Sequence, residues 1–225
     1  MPATCGRGHD GHATGLERRL IYTLFYSPGS AAMVVRILLD EIGAKYELIE
    51  VPISKTEPRD PAHLAHNPNG WVPALAWDGG SLYEAAAITV YLCDRYPEAG
   101  LGPAPSDSTR PLFLQTLVYF SNTVQTAFQQ YYYPERFAEH SETHAGTQKQ
   151  ACRRLRDVWQ VVDAQIGDNS WVLGSTFSAL DIYMHMLTTW LKPQAGHPDL
   201  YELPNVARIA AKVANRPSVD HAYTE

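Results

Sequence analysis

Between Asn67 and Tyr91 the chain reads N-P-N-G-W-V-P-A-L-A-W-D-G-G-S-L-Y-E-A-A-A-I-T-V-Y. Pro73 sits inside an apolar run, where a residue without an N–H shapes the edge or start of a strand. Asp78-Gly79 is a dipeptide favoured by tight antiparallel hairpins, so Val72 to Trp77 and Ser81 to Tyr83 read as paired short strands. Glu84 then stands at the mouth of a helix reaching Tyr96, with Ile88, Tyr91 and Leu92 along one side. Together these features describe a small surface of main-chain polar groups and one acid, suited to an extended, peptide-like ligand.

The residues before this segment fit the same unit. Leu20 to Tyr26 is an apolar strand bounded by Ser27, Pro28 and Gly29. Ala31 to Ile42 carries Val34, Leu38 and Ile42 at helical spacing, Gly43 ends the helix, and Tyr46 to Ile53 reads as a second strand. A strand, helix and strand in so few residues make a β-α-β unit with parallel strands. With one or two helical turns in Pro58 to His66, the order β-α-β-α-β-β-α implies a four-stranded mixed sheet covered by helices.

Tyr96 to Arg110 is rich in proline and glycine, which places a linker at 97–109. It separates a unit at 19–96 from an all-helical unit at 110–225, and residues 1–18 form a disordered leader. Beyond the linker, Leu117, Phe120, Val124 and Phe128 share one helical face, and Leu155, Trp159, Val162 and Ile166 share another. Shorter helices follow at Ala179 to Leu191 and Val206 to Ala214. Ser178 and Asp181 form a capping box at the start of the first, with Phe177 and Ile182 as a hydrophobic staple.

A formal net charge of -6 and no concentrated basic face argue against a nucleic-acid surface. No apolar run is long enough to span a bilayer, and the leader lacks the apolar core of a secretory signal. Cys5, Cys93 and Cys152 are odd in number and far apart, which fits a reducing cytoplasm rather than a disulfide framework or zinc site. His9 and His12 bind metal adventitiously at most.

The segments Y-S-P-G-S-A-A, N-P-N-G-W-V-P-A-L, L-Y-E-A and L-G-S-T-F-S-A-L-D-I, in that order, resemble the soluble bacterial glutathione transferase superfamily from Leu20 to the C-terminus. The resemblance implies an α/β plus all-α architecture: a thioredoxin-like N-terminal domain, then a helical domain contributing the acceptor-substrate pocket. It also implies glutathione as cosubstrate, no metal, and a homodimer. Val72 would precede a cis bond to Pro73 and pair with the cysteinyl main chain of glutathione. Glu84 would meet the γ-glutamyl ammonium or, on the plainer reading, cap its helix. The family's Ser or Thr is replaced by Ala85, whose N–H remains available to the α-carboxylate. Lys55, Arg59 and His66 are candidates for the glycyl carboxylate.

Thiolate chemistry requires the glutathione thiol, with an ordinary pKa of about 8.5, to ionise near neutral pH. The family's cysteine position is occupied by Ala31, so mixed-disulfide chemistry is not expected. Ser30 is the first hydroxyl candidate and Ser27 the second, and Ser30 is equally placed to cap the helix. Tyr22 and Tyr26 read as packing residues. Tyr119, Phe120, Phe128, Tyr131, Tyr132 and Trp190 are candidates for the acceptor pocket or for interdomain core. The reading is a transferase acting on a hydrophobic or aromatic electrophile. Its alternatives are a glutathione-dependent lyase, isomerase, dehalogenase or peroxidase, and a non-catalytic glutathione-binding protein.

Overall fold

The computed structural model describes residues 21–53 and 58–224. The leader, with Cys5, His9 and His12, and the candidate Lys55 lie outside the described residues. The first unit contains β1 (Ile21–Tyr26), α1 (Ala32–Glu41), β2 (Lys45–Glu50), α2 (Pro61–Leu64), β3 (Ala74–Trp77), β4 (Gly80–Tyr83) and α3 (Ala85–Arg95). The sheet order is β2-β1-β3-β4, with β1 parallel to β2 and β3 antiparallel to both β1 and β4. Asp78 and Gly79 turn the hairpin, and Gly79 takes a φ of 101° that suits a residue without a Cβ.

Two strand ends differ from the sequence reading by more than a single residue. β2 stops at Glu50 because the Val51 N–H makes the last bond to the Tyr26 carbonyl (2.7 Å) and Pro52 follows with no donor. β3 starts only at Ala74, leaving Val72 and Pro73 outside the ladder. Every residue of α1 from Ala32 to Leu39 is buried. An amphipathic stripe would not need this. It follows because the sheet and α3 cover one side while two helices of the second unit cover the other.

Those two are α7 (Ala179–Thr188) and α9 (Pro217–Thr224). The second unit also contains α4 (Arg110–Val118), a π-helical segment at Tyr119–Val124, α5 (Gln125–Tyr132), α6 (His144–Ile166) and α8 (Pro204–Ala214). From Arg110 to Tyr132 the chain is one continuous helix with a π insertion at its middle. Its buried Phe113, Phe120 and Phe128 pack with Trp159 and Tyr183 in a core shared by both units. The Ser178–Asp181 capping box is present, and Asp181 also accepts the Val172 N–H at 2.8 Å. Helix α7 ends at Thr188, three residues before the sequence reading, as the chain tightens through Trp190 and Leu191.

Helix α9 is absent from the sequence reading, although Pro217 at its first turn and the buried Val219 and Ala222 carry its signal. It latches onto the far end of α1. Arg216 forms a bidentate pair with Glu41 at 2.6 Å, Ser218 bonds the same carboxylate, and His221 meets Asp40 at 2.8 Å. A second bidentate pair, Arg110 with Asp94, ties α4 to α3 at 2.7 and 2.9 Å.

Candidate active site

A cavity of about 620 Å³ lies between the two units, within the range of roughly 300–1,000 Å³ usual for small-molecule sites. One wall comes from the β1–α1 loop, the Trp71–Pro73 turn and the start of α3. The opposite wall comes from the helix through Ser121, Gln125, Phe128 and Tyr132, and from the segment Thr189 to Lys192. Spacings of three and four residues put Gln125, Phe128 and Tyr132 on one face beyond the π segment, and Ser121 joins them from within it.

The Val72–Pro73 bond is cis, and neither the N–H nor the C=O of Val72 has a partner among the described residues. The turn is held from behind: Asn67, 3% exposed, donates through Nδ2 to the Trp71 carbonyl at 2.7 Å and accepts the Asn69 N–H at 3.1 Å. The Ala31 and Ala85 N–H groups likewise have no acceptor among the described residues. Such amides are the expected orphans of a helix N-terminus, where the macrodipole favours negative charge. Three sets of unpartnered main-chain groups therefore belong to residues lining one cavity.

Glu84 precedes α3 with a φ of 73°, an unusual conformation for a residue with a side chain. Its carboxylate makes no cap hydrogen bond to the helix, so the plain capping reading does not describe it. Tyr183, which lines the same cavity, is fully buried, and its hydroxyl donates to Gln125 Oε1 at 2.9 Å. Burial, aided by the charge of Glu84, holds the Tyr183 phenol above its ordinary pKa and keeps it a donor. The Gln125 amide is thereby oriented, leaving its NH2 as the end without a partner among the described residues.

Ser30 is 9% exposed and lines the cavity. Its Oγ donates to the Ser27 carbonyl at 2.6 Å and accepts the Ala32 N–H at 3.2 Å. The hydroxyl thus serves the loop and the first turn of α1, and its hydrogen is already committed. Ser27 is buried and contributes that carbonyl without lining the cavity.

Of the aromatic candidates, Phe128, Tyr132 and Trp190 line the cavity, joined by Trp71 and Tyr133. Phe120 does not: it is fully buried and stacks on Tyr183 with 6.1 Å between rings. Tyr131 packs its ring edge-on to His197 at 4.3 Å, and Tyr119 also lies off the cavity. The Trp190 indole N–H donates to the Gly29 carbonyl (2.7 Å), and the Tyr132 hydroxyl donates to the Trp190 carbonyl (2.7 Å). These bonds tie the helical wall to the loop carrying Ser30 and Ala31. Burial pushes the Tyr132 phenol up to about 12, so it stays protonated.

The glycyl-carboxylate candidates are not brought together. Arg59 donates to the Pro52 carbonyl at 2.8 Å and lies over the Trp71 ring at 5.1 Å, and His66 packs on Phe25 at 5.1 Å. Neither lines the cavity. Arg136, which the sequence reading passed over, does. Its guanidinium lies 4.1 Å from the Trp71 ring centre and 4.0 Å from that of Tyr133, bridging the two units. Among the described residues, no group of three or more His, Cys, Asp or Glu is arranged to hold a metal ion, and no helix is long and apolar enough to cross a membrane.

Residues 24–100 match the family model for the glutathione S-transferase N-terminal domain. Over nearly the whole chain, a sphingomonad glutathione S-transferase solved with glutathione is 30% identical. The match covers 89% of this chain and 96% of that one, with a TM-score of 0.77. A glutathione transferase homologue from Sulfitobacter with bound glutathione is 27% identical with a TM-score of 0.81, covering 89% and 96% of the two chains. The Escherichia coli glutathione S-transferase GstA is 29% identical, again across 89% of this chain and 96% of its own. The cavity and its unpartnered main-chain groups thus lie in a chain that belongs to the glutathione S-transferase family.

Proposed function

We propose that this protein is a glutathione transferase that binds glutathione extended along Val72 and activates its thiol as thiolate for attack on a hydrophobic or aromatic electrophile. The observation that carries the reading is the set of unpartnered main-chain groups at Ala31, Val72 and Ala85, gathered around one carboxylate, Glu84. A γ-glutamyl group suits one end: its ammonium meets Glu84, and its α-carboxylate meets the Ala85 N–H and the Gln125 NH2. The cysteinyl main chain pairs with Val72. The glycyl carboxylate lies toward Trp71 and Arg136, with Arg59 behind the same indole.

The sulfur then falls at the N-terminus of α1. There the Ala31 N–H and the helix dipole favour the anion without any cysteine or free hydroxyl. Ser30 acts mainly through the loop it braces. An electrophile packed against Phe128, Tyr132 and Trp190 is held for attack by proximity. Residues 19–96 act as the glutathione-binding domain, 97–109 as linker and 110–225 as acceptor domain of a cytoplasmic homodimer serving detoxification. A binding protein without turnover is the second reading, favoured by the commitment of the Ser30 hydroxyl hydrogen to Ser27.

Calorimetric titration with glutathione, with thiolate absorbance followed across pH, tests this. The bound thiol should ionise below the free value of about 8.5. Ala31→Pro, whose native φ of -61° suits proline, should remove most of that shift, and Ser30→Ala less of it. Binding with an unshifted thiol would leave the second reading. No binding at millimolar glutathione would overturn both.

A further inference from the structure

On the helical wall, Lys192 follows Trp190 by two residues and lines the same cavity. Its backbone is fixed from three sides: its N–H donates to His197 Nδ1 at 3.1 Å, and its carbonyl accepts the N–H groups of Ala195 at 2.8 Å and His197 at 3.4 Å. His197 is 2% exposed, and burial holds it below its ordinary pKa, which keeps that nitrogen an acceptor. The ammonium of Lys192 lies 4.9 Å from the Tyr132 ring centre. Through Tyr132 and Trp190 the arrangement reaches the Gly29 carbonyl, beside the loop that receives the sulfur.

Among the described residues Lys192 has no carboxylate partner, and Glu84 is the one carboxylate lining the cavity. Arg136 is placed differently, clasped between the rings of Trp71 and Tyr133. A purely apolar acceptor would gain nothing from a cation held at the rim of an aromatic wall. An acceptor with an anionic substituent would place its ring on that wall and its charge at the ammonium.

We infer that the acceptor of this enzyme is an aromatic electrophile bearing an anionic substituent, a carboxylate or sulfonate, and that Lys192 is the residue selecting for it. The inference rests on the transferase reading. In the reaction used to test it, the glutathione sulfur attacks the ring carbon bearing chlorine. The S–C bond forms, the C–Cl bond breaks, chloride leaves with the bonding pair, and the thiol proton passes to solvent.

The test compares the chlorodinitrobenzoate whose chlorine is flanked by both nitro groups with its methyl ester. Each kcat/KM is divided by the uncatalysed rate constant with glutathione in the same buffer, which removes the intrinsic difference between acid and ester. The acid should show the larger enhancement by about three-fold or more, the size that one part-exposed charge pair supplies. That preference should shrink with added salt. Lys192→Met, which keeps an unbranched stem on Tyr132, should abolish the preference, and Lys192→Glu should reverse it. Equal enhancements in the parent, or a preference that survives Lys192→Met, would overturn the inference while leaving the transferase reading intact. No turnover of either compound by glutathione-bound enzyme would sink the transferase reading and this inference with it.

Discussion

Gln125→Leu is the substitution that most directly probes how this chain manages without a hydroxyl at Ala85. Tyr183 occupies Gln125 Oε1 at 2.9 Å, so the amide NH2 is the end left for the ligand. A hydrogen bond to a charged group contributes about 1.5–3 kcal/mol. The cavity is open to solvent, so the lower end applies, close to a ten-fold loss of glutathione affinity. Leucine also strands the buried Tyr183 hydroxyl, at a cost of about 1–3 kcal/mol to the fold. That should lower the thermal midpoint by roughly 2–4 °C per kcal/mol in a chain of this size.

Calorimetry and thermal melts separate the two effects. Adding Tyr183→Phe removes the stranded hydroxyl and should recover the melting temperature without recovering affinity. Adding Ala85→Ser instead supplies a hydroxyl beside the same main-chain N–H and should regain about 1 kcal/mol of binding, roughly five-fold in Kd. If Gln125→Leu binds glutathione within about two-fold of the parent, the Gln125 amide does not hold the α-carboxylate and the reasoning is refuted.

The parent should bind glutathione about five-fold more tightly than its glycyl monoethyl ester, and Arg136→Met should bind the two alike, the difference being that of one part-exposed charge pair. A preference retained in Arg136→Met would move the glycyl site elsewhere. Arg216→Met should cost about 2 kcal/mol at neutral pH, less than the loss of a fully buried pair because the guanidinium is part-exposed. In the parent, burial pushes Glu41 upward, but the hydrogen bonds from Arg216 and Ser218 and the guanidinium charge outweigh it and hold the carboxyl below its ordinary 4.5. That stabilisation is present above pH 4.5 and lost as pH falls through the lower folded value. Without Arg216 burial dominates and the folded value rises above the unfolded one. Stability should then fall as pH rises from about 4 to 6, and denaturant titrations across that range showing no such change of slope would count against the latch.

What was legible in the sequence was whatever the backbone must do regardless of its surroundings. Asp78-Gly79 demands a hairpin, Val72-Pro73 is the residue pair type that admits a cis bond cheaply, and Ser178–Asp181 marks a helix start. The aromatic wall was not legible in the same way. Phe120 and Phe128 share a face by simple helical counting, yet one is sealed in the core and the other reaches the cavity. The π segment at Tyr119–Val124 shifts the register between them, and no period of 3.6 extrapolates across it. Gln125 and Arg136 escaped notice because their significance depends on Tyr183 and Trp71, partners distant in sequence that only the fold supplies.

The same division explains why the two departures from the family pattern, Ala31 and Ala85, weigh less than they do on the page of the sequence. Each removes a side-chain group, but the N–H at each position is supplied by a helix start, and any residue other than proline keeps it. At Ala85 a second donor comes from across the cavity, from a helix whose own sequence names no ligand. At Ala31 the neighbouring hydroxyl is engaged in bracing the loop, so the position of the amide depends on Ser30 even if the anion never touches Ser30. A site built this way tolerates loss of side-chain chemistry and is sensitive to anything that moves α1. On the proposed reading, the Glu41–Arg216 latch that holds the far end of α1 therefore bears on the site as well as on the stability of the fold.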